Sequence, residues 1–429
     1  MDITFRDHIE RANQLAFQRL LEADPIWVNV GRAIDVIPGM TKNMILHAGP
    51  PIEWERMCPT LKNGMIGGAL YEGWIKNPEQ MEELVHRGEI LFHPCHDHDA
   101  VGSMAGITTP SMWVYVVEER RRGGRAYSGV YEGRGKTLAF GCYEQETIDR
   151  LRWMDKNLGP ILRRVVGTFK EGLPLKPILA KAVHMGDECH NRYVASTLWF
   201  VDLLIKGLLS LDISNAQIEA IYRFMTGEHY NSFLTLSMAG CKAMAEAFHH
   251  VLGSSMVTVM ARNGTDFGIK ISGLGEKWFT SPAKKVEGLY YPGHGDNEAN
   301  PDIGDSTITE TVGLGGFALV AAPATMQIVG KSLEEAIMLV QEMREITIGE
   351  NETFTLPYMD FQGTPTGIDL LKVVETNITP VCVTAIASTL PNTGMIGAGF
   401  VRQPMGAFHE ALKTFVAELK RNMDKEKDL

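Results

Sequence analysis

The hydrophobic period changes twice along this chain, and that limits the fold more than any single motif. Up to about residue 145, short apolar segments such as "MILHAGPPIEW", "GEILFHPC" and "PSMWVYVVEE" alternate with Gly and Pro. Such a texture reads as mixed strands and helices with chemistry on the loops between them. From Glu144 to about Leu252 long helical periods take over, as in "TIDRLRWMDKNLGPILRRVV", "STLWFVDLLIKGLL" and "SFLTLSMAGCKAMAEAFHHVL". Then "VTVMARNGTDFGIKISG" sets Asn263-Gly264 between two runs of strand propensity, a strong short-range hairpin signal. The expected fold is α+β, with two mixed α/β domains (1–145 and 254–429) flanking a helical domain (146–253). Phe5, Ile9, Ala12, Ala16 and Leu20 stand at helical spacing, and the tail "FHEALKTFVAELKRNMDKEKDL" reads as an amphipathic helix. Residues 284–305, rich in Gly, Asn, Asp and Pro, read as a long loop.

Composition narrows the function classes. No apolar run approaches the roughly 20 residues that a membrane-spanning helix needs, and the N-terminal stretch has no targeting pattern, so a cytoplasmic protein is expected. A net charge of −11 gives no reason to bind nucleic acid. The one basic cluster, "ERRRGGRAY", ends a strand-like run at a Gly-Gly turn. Six scattered cysteines, Cys58, Cys95, Cys142, Cys189, Cys241 and Cys382, read as reduced residues rather than a disulfide framework.

Two polar clusters interrupt the apolar texture. "FHPCHDHDAVG" crowds His93, Cys95, His96 and His98 together, yet no C-x-x-C occurs in the chain, so common zinc designs do not fit. Three readings stand: an acid/base and oxyanion loop, a metal site, or a structural bend. No cofactor and no metal ligand set are assigned, and no tightly bound zinc is expected there. "HMGDECHNR" lies between apolar runs, and each buried polar group without a partner costs roughly 1–3 kcal/mol, so something must compensate it. On helical spacing His184, Glu188 and Asn191 would share a face, with Asp187 and His190 paired beside it. A carboxylate next to an imidazole orients a general base; a polar patch satisfied by backbone is the alternative.

Other motifs are weaker. "GVYEGRGKT" has Gly129 six residues before Gly135, where a phosphate-binding P-loop needs five. "GLGGFA" fits a dinucleotide fingerprint only in isolation, although glycines opening a helix could admit an anion. Arg262 beside the turn could fork onto a carboxylate or phosphate. Asp302, Asp305 and Glu310 in "NPDIGDSTITET" could hold Mg2+ or build a capped turn.

Taken in order, "AGPPIEWERM", "GALYEGW", "GEILFHPCHDHDAVGSMAGITTPSMWVYVVE", "MGDECHNR", "RNGTDFGIKISG", "WFTSPA" and "NPDIGDSTITETVGLGGFA" resemble the AllG (YlbE-like) family over nearly the whole chain. The resemblance implies a subunit of oxamate carbamoyltransferase working with an FdrA-type, acyl-CoA-synthetase-like subunit and an AllH-type subunit. It implies phosphate attack on oxalurate, giving oxamate and carbamoyl phosphate in allantoin breakdown. Asp97 stands where that family often has a third consecutive histidine, which leaves His96 and His98 as the expected actors. The Ser-Thr-Arg-Thr and H-P-x-Q segments of better-known transcarbamoylases are missing. Two rivals are a non-catalytic partner subunit and a metal-dependent amide hydrolase. Self-association into a homo-oligomer is left open.

Carbamoyl transfer needs donors for an oxyanion and an acid for the leaving nitrogen. The expected catalytic residues are His96, His98, Glu188 and His190; Asn191, Arg192, Arg262, Asn263 and Asp305 are expected to bind small anionic substrates in an interdomain cleft. In particular, His96 or His98 should come within one hydrogen bond or one water of the 188–191 segment.

Overall fold

The computed structural model describes residues 3–133, 135–227 and 230–427. It is an α+β fold with several open sheets rather than one continuous one. Alternation in the first segment resolves into a five-stranded sheet ordered Ala100–Val101, Arg125–Gly129, Trp113–Glu119, Pro25–Arg32 and Leu173–Pro174. The basic cluster turns the hairpin between Trp113–Glu119 and Arg125–Gly129, where the Glu119 carboxylate accepts from the backbone N–H groups of Asp24, Arg121 and Arg122. A separate parallel pair, Met44–His47 with Leu91–Pro94, carries the first histidine cluster on its second strand.

Helix Leu234–Glu246 packs across this sheet. Residues Thr235 to Ala245 of that helix are all buried, which explains a composition apolar or small on every side. The second hairpin forms as expected: Val257–Asn263 pairs with Asp266–Ile271 inside a four-stranded sheet completed by Phe279–Pro282 and Ile303–Gly304. Further on, Val381–Ala387 and Met395–Arg402 form the rest of the last sheet. The segment expected to be a long loop adds its edge strand, Glu287–Tyr290. That strand escapes a hydrophobicity reading because it is a four-residue edge whose Gly288 lies backbone to backbone on Gly399.

The three segments share a core. One cluster of buried apolar side chains runs from Ile9 to Leu419 and draws on all of them. Strand Leu173–Pro174, from the helical segment, edges the first sheet. Helix Ile3–Glu22 buries its Ile9, Ala12, Ala16 and Leu20 stripe and packs on strand Thr347–Leu356, near the other end of the chain. Its buried Asn13 donates to Ser255 Oγ at 2.9 Å and accepts from Ser254 Oγ and Ser255 N, both at 2.9 Å. No helix among the described residues is long and apolar enough to cross a membrane.

Candidate functional site

The first histidine cluster is a tight 3-10 turn, Cys95–His98, ended by Asp99 in the left-handed region (φ 54°). Cys95 is buried and its thiol donates to Gly106 O at 3.4 Å; burial pushes the thiol well up, which makes it a poor nucleophile. His98 turns away from the rest, with Nδ1 2.6 Å from Pro38 O and Nε2 3.1 Å from His93 Nδ1. His96 points inward with its ring edge-on to Trp278 and its Nε2 3.7 Å from Asp305 Oδ1. Neither His96 nitrogen has a hydrogen-bond partner. Burial, with Lys242 and Lys270 nearby, holds this imidazole well below its ordinary value, so it is neutral. Asp305 clasps the first segment to the last, accepting from Gly49 N at 2.8 Å and Gly102 N at 2.9 Å. Burial still pushes its carboxyl up to about 7.

The second cluster is not helical, so its expected i,i+3 and i,i+4 pairings do not form. The helix Lys176–His184 stops at His184, and Gly186 (φ 97°) and Cys189 (φ 63°) force a loop before helix Val194–Leu209. Asp187 accepts from Ser196 N at 2.8 Å and Ser196 Oγ at 2.9 Å, pinning the start of that helix. Glu188, expected to be catalytic, instead braces the loop: it accepts from the N–H groups of Asn191 and Arg192 and from the Thr325 hydroxyl at 2.8 Å. Arg192 donates back to Gly186 O at 2.9 Å, so its Nε is spent inside the loop. His190 is the exception. Its Nδ1 lies 2.8 and 2.9 Å from the two oxygens of Glu310. A carboxylate can only accept there, so Nδ1 carries the proton, and in the neutral ring Nε2 presents a lone pair. That Nε2 is buried and unpartnered.

Glu310, expected from the sequence as a candidate Mg2+ ligand, is instead the partner of the His190 imidazole. It is fully buried and also accepts from Gly316 N and Thr309 Oγ1, both at 2.9 Å. The glycine-rich "GLGGFA" run does admit an anion, but the anion is this side chain: a Cβ on Gly315 would stand 2.1 Å from Glu310 Oε1. The run itself is a 3-10 stretch, Gly315–Ala321, not an α-helix N-terminus.

Arg262 is buried with every donor engaged. Its Nε and Nη2 fork onto Asp302 at 2.8 Å each, Nη1 donates to Gly304 O and to Thr307 Oγ1 at 2.9 Å, and Nη2 reaches Thr384 Oγ1 at 3.4 Å. Five N–H groups meet five acceptors, which leaves none for a substrate anion. Asn263 likewise serves the hairpin, accepting from Thr265 N and Asp266 N and donating to Pro50 O at 3.0 Å.

One cavity gathers what remains. Its walls come from all three segments: Gly102–Thr108 and Gly129–Gly133 from the first, His190, Asn191, Asn231 and Thr235 from the second, Ser306 and Thr384 from the third. Thus the stretch after the first histidine cluster lines this cavity together with His190 and Asn191, whereas His96 and His98 are not among its lining residues. Glu132 of the near-miss P-loop run also lines it, accepting from Leu138 N at 2.8 Å, and withdrawal from solvent pushes its carboxyl up to about 7.

A family model described as "Oxamate carbamoyltransferase subunit AllG" matches residues 90–306. The protein named oxamate carbamoyltransferase subunit AllG from Escherichia coli K12 is 40% identical over 413 residues, covering 96% of this chain and 98% of that one. The chain belongs to the AllG family. A second E. coli K12 relative, uncharacterized protein YahG, is 44% identical over 411 residues, 96% of this chain and 87% of its own. The crystal structure of a conserved protein of unknown function from Enterococcus faecalis V583 superposes with a TM-score of 0.94 at 43% identity, covering 96% of this chain and 99% of that one. The AllG match spans both polar loops and ends at Ser306, in the cavity wall.

Proposed function

We propose that this chain is a subunit of a carbamoyltransferase converting oxalurate and phosphate to oxamate and carbamoyl phosphate, and that the His190 cavity holds the reacting centre. The observation that carries this reading is the unpartnered Nε2 of His190, in a cavity wall, with Nδ1 held by Glu310. A phosphate oxygen adds to the ureido carbonyl while Nε2 takes the proton of hydrogen phosphate. The C–N bond to the oxamate nitrogen then breaks as that nitrogen gains a proton from Glu132, whose carboxyl sits near 7. Proton exchange between Glu132 and His190 resets the pair. The net proton moves from phosphate to oxamate, and the charges balance. Hydroxyls and amides of Ser103, Asn191, Asn231 and Ser306 supply donors for the tetrahedral oxyanion.

No Lys or Arg stands among the described lining residues, while both substrates are anions. Their charge is met by neutral donors here and by the FdrA-type and AllH-type partner subunits, which complete the site. The test is co-purification with those partners and a phosphate-dependent oxalurate assay. His190→Gln is expected to lower kcat by about 10²–10⁴-fold with the complex intact. Full activity in that variant would overturn the catalytic role and favour the non-catalytic reading, with the chemistry on a partner.

A further inference from the structure

Elsewhere the fold builds another convergence of donor atoms. Beyond the end of helix Leu234–Glu246, His249 and His250 follow each other in a turn. His250 has a left-handed backbone (φ 59°), which sets its ring beside that of His249, with centroids 4.1 Å apart. Both Nε2 atoms then face one carboxylate oxygen, Glu276 Oε1, at 3.3 Å from His249 and 3.1 Å from His250. Among the described residues these three side chains form a group whose ligand atoms all lie within 4.8 Å of one another.

Three facts point to a cation at that convergence. His249 is buried, and its Nδ1 lies 2.9 Å from Thr258 Oγ1, a hydroxyl that donates to Lys270 O at 3.4 Å. When Nδ1 donates to that hydroxyl, the neutral ring turns its Nε2 lone pair toward Glu276 Oε1, the tautomer in which an imidazole ligates a metal. Secondly, the two N–O separations are close to the edges, about 3.3–3.4 Å, of a tetrahedron with metal–ligand bonds of about 2.0–2.1 Å. Thirdly, the carboxylate is already oriented: Glu276 Oε2 accepts from Lys270 Nζ at 2.5 Å, and that ammonium also binds Asp97 at 2.8 Å. Asp97, Glu246 and Glu276 outnumber the neighbouring ammoniums of Lys242 and Lys270, so local charge admits a cation.

We propose that His249, His250 and Glu276 bind one divalent transition-metal ion, zinc(II) or cobalt(II), with water in the fourth position. Two imidazoles in the set disfavour magnesium and calcium, which prefer all-oxygen shells. None of the three residues lines the His190 cavity. Lys270 and Asp97 link the site to the first histidine cluster, so the metal sits beside "HPCHDHD" rather than in it.

The full chain, stripped with chelator, is titrated with cobalt(II) by calorimetry and visible absorption and then back-titrated with zinc(II). One saturable equivalent with the intense visible bands of tetrahedral cobalt, displaced by zinc, is expected. His250→Ala, at an exposed ring, should weaken binding at least about tenfold. Glu276→Gln should do the same, and exposed His86→Ala should leave binding unchanged. Absence of a saturable equivalent, or equal affinity in wild type and His250→Ala, overturns the proposal.

Discussion

Arg262 shows how far a residue type can mislead about its task. A guanidinium beside a hairpin turn in an acidic chain is a natural anion clamp, and only the structure shows that Asp302, Gly304, Thr307 and Thr384 already consume it. Burial opposes the charge, but the bidentate Asp302 carboxylate more than offsets it and raises an already high pKa further, so the charge never leaves. Arg262→Lys keeps the charge but supplies three donors in place of five, leaving half of Asp302 and a backbone carbonyl unmet. We expect it to cost about 3–5 kcal/mol of stability in denaturant unfolding. Oxalurate KM in the fraction that stays folded should not change; a raised KM without lost stability would return Arg262 to the binding role. His190 was legible as an imidazole needing a carboxylate, but Asp187 was the partner in reach of the eye. The true one, Glu310, stands 120 residues away, a separation that no local spacing rule spans.

Elements were read best where backbone chemistry is local. The Asn263-Gly264 hairpin follows from Asn263 Oδ1 accepting the next two free N–H groups and from Gly264 at φ 81°. The N-terminal helix follows from its apolar stripe, and the long helices of the middle segment from their period. Gly264→Ala is strained twice, by the positive φ and by a Cβ 2.4 Å from Cys58 Sγ. Thermal unfolding should show a loss of more than about 1 kcal/mol, and a melt equal to wild type would contradict that geometry. The polar residues of the loop 185–193 fall at intervals of three and four, a helical period that the backbone does not follow. Gly186 and Cys189 in left-handed conformations decide otherwise, and a cysteine there gives no warning in sequence.

At the scale of the molecule, buried acids tie stability to pH. Asp305 has a folded-state pKa of about 7 against an ordinary 3.8, so the unfolded chain releases that proton first as pH rises. Its contribution is full below about 4 and is lost between 4 and 7. Glu132 and Asp187, raised to about 7 and 6, act in the same sense, while His47, lowered to about 4, acts oppositely between 4 and 6.5. Asp305→Asn isolates one of these: its stability relative to wild type should climb as pH goes from 4 to 7.5, measured by urea unfolding at each pH. A difference constant with pH would remove Asp305 from the account. The α+β class was legible from texture, but the sharing of one core was not, since contacts between distant segments leave no periodic trace. Consider the first helix again, held through Asn13 to Ser254 and Ser255, with Ser255 in turn donating to Asp369 at 2.6 Å. Part of its packing surface, strand Thr347–Leu356, is made only near the other end of the chain. During synthesis at about 5–20 residues per second, the helix therefore waits on the order of tens of seconds before its packing is complete. The chain's need for chaperones should be concentrated in that interval, well before any partner subunit can meet it.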